Sequence, residues 1–170
     1  MADLEQERRL SPLPPVVIGG ALVVPVGLLE RLKGERVLEP AQFARDRARI
    51  EKLAMDAVMA AERSLGYEPR DVSADKCGYD IESRLPGSGQ LRFIEAKGRA
   101  AGAKTVTISK NEILTGFNKP EDFILAIVEV EGESASPRYV RRPFTREPDF
   151  GVTSVNYDVI DLLNRAEEPT

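Results

Sequence analysis

The chain has 170 residues, of which 42% are hydrophobic and 31% are charged, with 24 Lys and Arg against 28 Asp and Glu. This size and composition are typical of one soluble globular domain. The chain contains no histidine, which excludes Ser-His-Asp and Cys-His catalysis, imidazole zinc sites and histidine phosphotransfer. Any acid–base chemistry must therefore be carried by carboxylates, lysine or tyrosine.

Cysteine and apolar segments narrow the class of protein further. The single cysteine, Cys77, allows neither an internal disulfide nor a thiolate zinc site, so we expect a buried structural thiol in a cytoplasmic protein. The apolar stretch 16–29 contains Pro25 and three glycines and is too short to cross a membrane. Acidic residues before this stretch argue against a signal peptide.

The first predicted elements are an N-terminal arm, a hairpin and a long helix. Residues 1–15 are charged and proline-rich and are interpreted as a linker or arm. Residues 16–40 form an N-terminal extension, with a β-hairpin predicted over 16–24 around Gly19-Gly20. Apolar residues at three- and four-residue steps between Pro40 and Gly66 predict an amphipathic helix.

After Gly66 the pattern changes to that of strands bounded by glycine, proline and polar turns. Strands are predicted over 79–85, 91–97, 105–108, 123–131 and about 138–142. A short helix is predicted over 110–118, because Ser109 and Glu112 have the spacing of a capping box. One or two further helical turns are predicted over 159–166.

These elements, in the order α-β-β-β-α-β, predict an α/β (α+β) domain with a mixed central sheet flanked by helices. We assign this domain to residues 41–146. The remaining residues, 147–170, are interpreted as an acidic C-terminal segment that would repel DNA.

Two of the predicted strands bring charged side chains together. If residues 86–89 form a four-residue hairpin loop, the register of the flanking strands places Asp80 opposite Glu95, with Lys97 on the same face as Glu95. Two carboxylates about 5 Å apart repel each other by about 3 kcal/mol at an effective dielectric of about 20. A divalent cation, Mg²⁺ or Mn²⁺, reverses that sign. Lys97 could then position or deprotonate a water, or stabilise developing charge.

The alternative interpretation of Asp80, Glu95 and Lys97 is a surface carboxylate pair neutralised by the lysine. The flanking glycines, Gly78 and Gly98, favour the metal site, because they leave room beside it for a ligand or a backbone.

The pattern of Asp80 followed by Glu95-Ala96-Lys97 after a long helix resembles the PD-(D/E)XK nucleases, the restriction-endonuclease-like superfamily, although Tyr79 stands where the motif name expects proline. The runs ERSLGYEPRDVSADKCGYDIES, RFIEAKGR and TVTISKNEI, from about 62 to 130, resemble the No-Vein-type C-terminal domain. That family often follows Swi/Snf-type or DEAD/DEAH helicase modules. The resemblance implies a restriction-endonuclease-like core, Asp80 and Glu95 as Mg²⁺ ligands, Lys97 as the residue that assists the water, and DNA and a helicase as partners.

The superfamily pattern also places a glutamate late in the first long helix, which here is Glu62. Its position at the border of the buried stripe would let it point over the sheet edge toward Asp80. The alternative is a solvated helix glutamate paired with an arginine.

Two basic segments, 97–119 and 137–146, are candidates for contact with a phosphate backbone. Tyr139 and Phe144 would be available for base stacking, and the alternative is that both segments are solvated faces. The candidate nucleic-acid-binding residues are Arg99, Lys104, Lys110, Lys119, Arg141 and Arg142.

Two functional hypotheses follow from this sequence. The first is a Mg²⁺-dependent nuclease-like domain that hydrolyses DNA phosphodiesters, with Asp80, Glu95, Lys97 and Glu62 as catalytic residues. The second is a non-catalytic module that binds nucleic acid or docks onto a helicase and reuses the nuclease fold as a platform.

Overall fold

The computed structural model describes residues 16, 19–20, 22–24, 28–29, 32–34 and 40–170. The arm predicted over 1–15 lies outside these residues, as does part of the hairpin predicted over 16–24. The described residues between 16 and 24 have no regular secondary structure. Residues 40–170 form one compact unit, and this unit carries the whole of the candidate site.

The first helix of this unit, α1 (Pro40–Ser64), confirms the predicted amphipathic helix. Its buried stripe includes Ala54 and Val58, which pack against the sheet. The helix ends before Gly66, whose φ of +86° is a conformation that glycine adopts without steric cost.

In chain order the elements after α1 are β1 (Glu68–Asp71), a 3-10 turn (Ser73–Asp75), β2 (Ile81–Arg84), β3 (Leu91–Ala100), β4 (Thr105–Ser109), α2 (Lys110–Asn118), β5 (Phe123–Glu131), β6 (Ser134–Arg141), β7 (Ser154–Asp158) and α3 (Val159–Leu163). Five strands form a mixed sheet in the order β1-β2-β3-β5-β6, in which β3 and β5 are parallel and the other neighbours are antiparallel. The parallel pair requires a crossover, which includes α2. A second sheet consists of β4 and β7.

The predicted α/β class is confirmed, and two of the seven observed strands, β1 and β7, were not among the five predicted ones. β1 is short and mostly exposed, with the sequence EPRD, so no apolar alternation marks it. β7 pairs with β4 through contacts such as Ser109 with Ser154, which are distant in the sequence. The helix α3 places Leu162 in the core of the domain. The C-terminal residues that carry β7 and α3 therefore belong to the same compact unit as the rest of the domain.

The central strands separate two apolar layers. Ile81 and Ile94 face α1, together with Ala126 and Val128 of β5. The opposite face carries Phe93 and Leu125, which pack with residues of β4, α2 and α3. Because side chains alternate along a strand, Glu95 and Lys97 lie on the α2 face of the sheet, and Arg92 lies on the α1 face.

Candidate active site

The hairpin register predicted from the sequence is confirmed. Ile81 pairs with Ile94, and the backbone N–H of Asp80 donates to the carbonyl of Ile94 at 3.0 Å. Asp80 directly precedes β2, and its Oδ2 accepts a hydrogen bond from the backbone N–H of Ala96 at 3.1 Å. This bond ties the carboxylate to the segment of β3 that carries Glu95.

Lys97 lies between two carboxylates. Its Nζ is 2.5 Å from Oε1 of Glu95 and 2.9 Å from Oε2 of Glu112. The lysine side chain retains 17% exposure, and that of Glu95 retains 4%. The ammonium is therefore held by two ion pairs in a nearly dry position, where electrostatic interactions are stronger than at the surface.

Burial and crowding perturb the ionisation of this cluster. The pKa of Glu95 is raised to about 8, chiefly by burial, with Lys97 lowering it and the neighbouring Asp80 and Glu112 adding to the rise. Burial also raises the pKa of Asp80, against the hydrogen bond from Ala96. The pKa of Lys97 is raised, because its two carboxylate partners outweigh its own desolvation. Two carboxylates, those of Glu95 and Glu112, thus pair with the ammonium of Lys97, and Asp80 lies beside them without a direct ion pair to it.

Glu112 is the residue of this cluster that sequence analysis missed as a site residue. The predicted capping box is present: Ser109 accepts from the N–H of Glu112, and Glu112 Oε2 accepts from the N–H of Ser109 at 3.0 Å. The same oxygen contacts Lys97. In the sequence, the capping box was a sufficient reason for a glutamate at position 112. Its second role, the ion pair with Lys97 of β3, can be seen only in the tertiary structure.

The cluster lies at an open cleft of about 250 Å³. One wall is the segment that leads from the 3-10 turn to β2, and the other is the first turn of α2. The lining residues are Ser73, Lys76, Gly78, Tyr79, Asp80, Glu95, Ser109, Asn111 and Glu112. Three carboxylates, the ammonium of Lys76 and several neutral hydrogen-bonding groups therefore converge on one concave surface.

The two flanking glycines leave room for neighbouring segments of the chain, which is the backbone alternative of the expectation and not the ligand one. A Cβ on Gly78 would lie 2.2 Å from Oγ1 of Thr115, and Gly78 has a φ of +90°. A Cβ on Gly98 would lie 2.8 Å from the carbonyl oxygen of Ile50. Gly78 thus lets α2 approach the cleft, and Gly98 lets α1 approach β3.

The structure does not bring Glu62 to the cleft. Glu62 is fully buried on the α1 face of the sheet, where its Oε1 contacts Arg92 at 3.3 Å and accepts from the Tyr139 hydroxyl at 2.9 Å. Asp80 and Glu95 line the cleft on the opposite, α2 face of the sheet. The alternative expectation, that Glu62 pairs with an arginine, is met by Arg92, although the pair is buried and not solvated.

Three further expectations about exposure are wrong. Cys77 is exposed, with its Sγ 3.6 Å from the carbonyl oxygen of Tyr79. Tyr139 and Phe144 are buried and present no ring to a base. Tyr139 faces the α1 layer and Phe144 packs against Phe123, so strand alternation and aromatic packing account for both.

The candidate nucleic-acid-binding residues are dispersed. Lys119 Nζ lies 3.8 Å from the ring centroid of Phe93, whereas Arg99 is six residues further along β3, or about 20 Å at strand spacing. Lys104 is exposed. Backbone carbonyl oxygens accept from three of the other side chains: those of Gly98 and Thr105 from Arg99, those of Asp149 and Phe150 from Lys110, and that of Thr170 from Arg141. Arg142 forms an ion pair with Glu121.

The donor set of the cleft fits Mg²⁺. This ion is commonly bound through one or two carboxylates, with water and substrate phosphate oxygens completing its shell, and Asp80 and Glu95 both open on the cleft. Among residues of the described ranges, no group of three or more His, Cys, Asp or Glu side chains is arranged to hold a metal ion. A metal here would thus depend on solvent or substrate oxygens.

Within the described part of the chain, no helix is long and apolar enough to span a membrane.

Comparison with known proteins gives a family match over much of the chain. None of the curated proteins matches the chain. The model of the family described as Protein NO VEIN, C-terminal, matches residues 50–140, which include α1 from Ile50 onward, Asp80, Glu95, Lys97 and Glu112. Because this match covers more than half of the 170 residues, the chain belongs to the Protein NO VEIN C-terminal family.

Proposed function

We propose that this domain is a Mg²⁺-dependent nuclease that hydrolyses DNA phosphodiesters. The observation that carries the proposal is the cluster of three carboxyl groups, Asp80, Glu95 and Glu112, that lines one open cleft, with the ammonium of Lys97 paired to the last two. Such crowding is unfavourable without a cation, and both Asp80 and Glu95 have raised pKa values. A divalent ion would relieve it.

Each residue of the cluster has a distinct role in the proposal. Asp80 and Glu95 hold the metal, which when bound supplies charge stabilisation at the phosphoryl oxygens. Lys97 orients the attacking water and places a positive charge beside the phosphodiester. Glu112 holds the ammonium from the helix side, at 2.9 Å. The buried position of the cluster keeps these groups in a fixed arrangement.

The resemblance to the PD-(D/E)XK nucleases supports this assignment, because Asp80, Glu95 and Lys97 match the metal-binding and water-assisting positions of that superfamily. The resemblance to the No-Vein-type C-terminal domain supports a role as the C-terminal module of a helicase or a defence protein, and the single cysteine supports a cytoplasmic setting. DNA would then be delivered by the adjacent motor.

Calorimetric titration with Mg²⁺ and Mn²⁺ tests the metal site before any substrate is known. We expect the parent chain to bind, and both Asp80→Ala and Glu95→Ala to lose binding. Glu51→Gln is the matched control, because Glu51 is an exposed α1 residue that pairs with Arg47. Binding that survives in both site variants would refute the metal assignment.

A cleavage assay on single- and double-stranded DNA then tests the chemistry. We expect Lys97→Ala to lose cleavage while it retains metal binding, since the lysine acts on the water. Unchanged cleavage in Lys97→Ala would refute its role.

A second candidate function is a non-catalytic module that binds nucleic acid or docks onto a helicase. It is favoured by the double ion pair of Lys97 and by the burial of Glu62 away from the cleft. DNA binding that survives both EDTA and Asp80→Ala, with no cleavage of any substrate, would support this module over the nuclease.

A further inference from the structure

One aromatic side chain beside the cleft is fully exposed to solvent. Phe150 has a relative exposure of 101%, in the segment between β6 and β7. A phenylalanine left in water forgoes the free energy of burying its ring. The aromatic residues predicted to stack on bases, Tyr139 and Phe144, are buried instead, so Phe150 is the ring that this part of the surface presents.

The backbone beside Phe150 is tied to the first residue of α2. Lys110 Nζ donates to the carbonyl oxygens of Asp149 and Phe150 at 3.2 and 3.0 Å. The backbone N–H of Lys110 donates to the carbonyl of Thr153 at 2.8 Å. These bonds anchor the segment on both sides of the ring, so the position of Phe150 relative to α2 is restrained.

The cleft begins at the same turn of helix. Ser109, Asn111 and Glu112 line it, and Lys110 lies among them in sequence. One turn of α-helix rises only about 5.4 Å. Lys110 and Phe150 do not themselves line the cleft, but the exposed ring is held beside the first turn of α2, which forms one wall of it.

The ring lies in the acidic segment 147–170, and a lysine of α2 offsets that charge beside it. Lys110 Nζ lies 5.6 Å from the ring centroid of Phe150 and contacts carbonyl oxygens there, and no carboxylate of the described residues forms an ion pair with it. The neighbouring Asp149 is paired with Arg146 at 3.4 Å, which offsets its negative charge. An aromatic face beside a cation is the combination that binds a base and its phosphate in single-stranded nucleic acids.

We infer that Phe150 and Lys110 form a stacking platform for an unpaired base at the mouth of the cleft. The faces of bases within a duplex are covered by their neighbours, so an exposed ring can stack only on a base that is unpaired or splayed out. The inference rests on the proposed function, because it names the form of nucleic acid that reaches the carboxylate cluster. The substrate class is single-stranded nucleic acid, either DNA or RNA.

The test measures binding without metal, so that it does not depend on cleavage. Fluorescence anisotropy in EDTA follows the binding of labelled oligo-dT, oligo-rU and a blunt DNA duplex to the whole chain. We expect Phe150→Ala to weaken binding of the single strands by roughly 5- to 100-fold and to change duplex binding by less than about twofold. Phe150→Trp should restore binding. The oligo-dT and oligo-rU arms distinguish DNA from RNA.

The matched control is Ile160→Ala, since Ile160 is an exposed apolar residue of α3 and its removal should leave all three affinities unchanged. Equal affinities of the parent and Phe150→Ala for both single strands would overturn the inference. So would an equal loss on the duplex, or no binding of any oligonucleotide by the parent. A parent chain that binds single strands as expected but does not bind Mg²⁺ or cleave DNA would refute the proposed nuclease and leave this inference standing.

Discussion

The buried contacts of Glu62 predict that this residue stabilises the fold and does not bind metal. In Glu62→Gln the side chain keeps its shape and loses its charge. Arg92, whose side chain is 9% exposed, then loses its carboxylate partner at 3.3 Å. The change tests the assignment of Glu62 to the α1 face directly, because a metal ligand and an interior ion pair respond differently to it.

The magnitude follows from the burial of both partners. Removing one member of a buried ion pair leaves an uncompensated charge and typically costs about 3 to 5 kcal/mol. Arg92 retains its position 3.8 Å from the ring centroid of Tyr67, which partly stabilises the remaining cation. We therefore expect a loss of about 3 kcal/mol in the free energy of unfolding, at the lower end of that range. The expected decrease in Tm is about 10 °C.

Urea and thermal denaturation measure the stability, and calorimetry with Mg²⁺ measures the metal affinity of the same samples. The control is Glu51→Gln in the same helix, because Glu51 and Arg47 form an exposed ion pair. That pair is expected to contribute less than about 0.5 kcal/mol. The metal affinity of Glu62→Gln should equal that of the parent. A variant as stable as the parent, or one that has lost Mg²⁺ binding, would refute the reasoning.

Three further predictions concern the same elements. Burial and Glu62 raise the pKa of Tyr139, so the folded chain keeps a proton that the unfolded chain loses near pH 10. The free energy of unfolding should therefore fall as the pH rises through 10. Urea titrations at several pH values should find a shallower fall in Tyr139→Phe than in the parent. Gly98→Ala should lower the free energy of unfolding by about 1 to 3 kcal/mol, because the added Cβ would lie 2.8 Å from the Ile50 carbonyl oxygen. The control, Gly151→Ala, should lower it little, because a Cβ there would meet no heavy atom within 4 Å. Equal denaturation midpoints of the two variants would contradict this prediction. Ser109→Ala should lose about 1 kcal/mol of stability through the cap, measured by urea denaturation, and an unchanged midpoint would argue against the capping role.

Local patterns were enough to predict most elements around the candidate site. The predicted bounds of α2 and β5, 110–118 and 123–131, coincide with the observed ones. A capping box and an apolar run each depend on residues close in sequence, so they can be recognised without the fold. The hairpin register was equally accessible, because the length of a short loop determines which residues of its strands face each other.

Contacts between distant segments decided which residues belong to the site. Glu112 serves as a cap in the sequence, and its contact with Lys97 exists only because α2 packs over β3. Glu62 matches the superfamily pattern and lies at the border of the buried stripe, yet α1 directs it to Arg92 and Tyr139 on the other face of the sheet. Helical periodicity identifies a buried stripe but not the side of the sheet that the stripe covers.

The sequence by itself determined the α/β class, the pairing of Asp80 with the strand of Glu95 and the shared face of Glu95 and Lys97, because strand alternation and a short loop leave little freedom. Only the tertiary structure decided that Glu112 joins them, that Glu62 does not, and that Phe150 rather than Tyr139 is exposed. These outcomes depend on how α1, α2 and the β4–β7 sheet pack on the central sheet. Such packing is set by the burial of surfaces far apart in the chain, which no local pattern records.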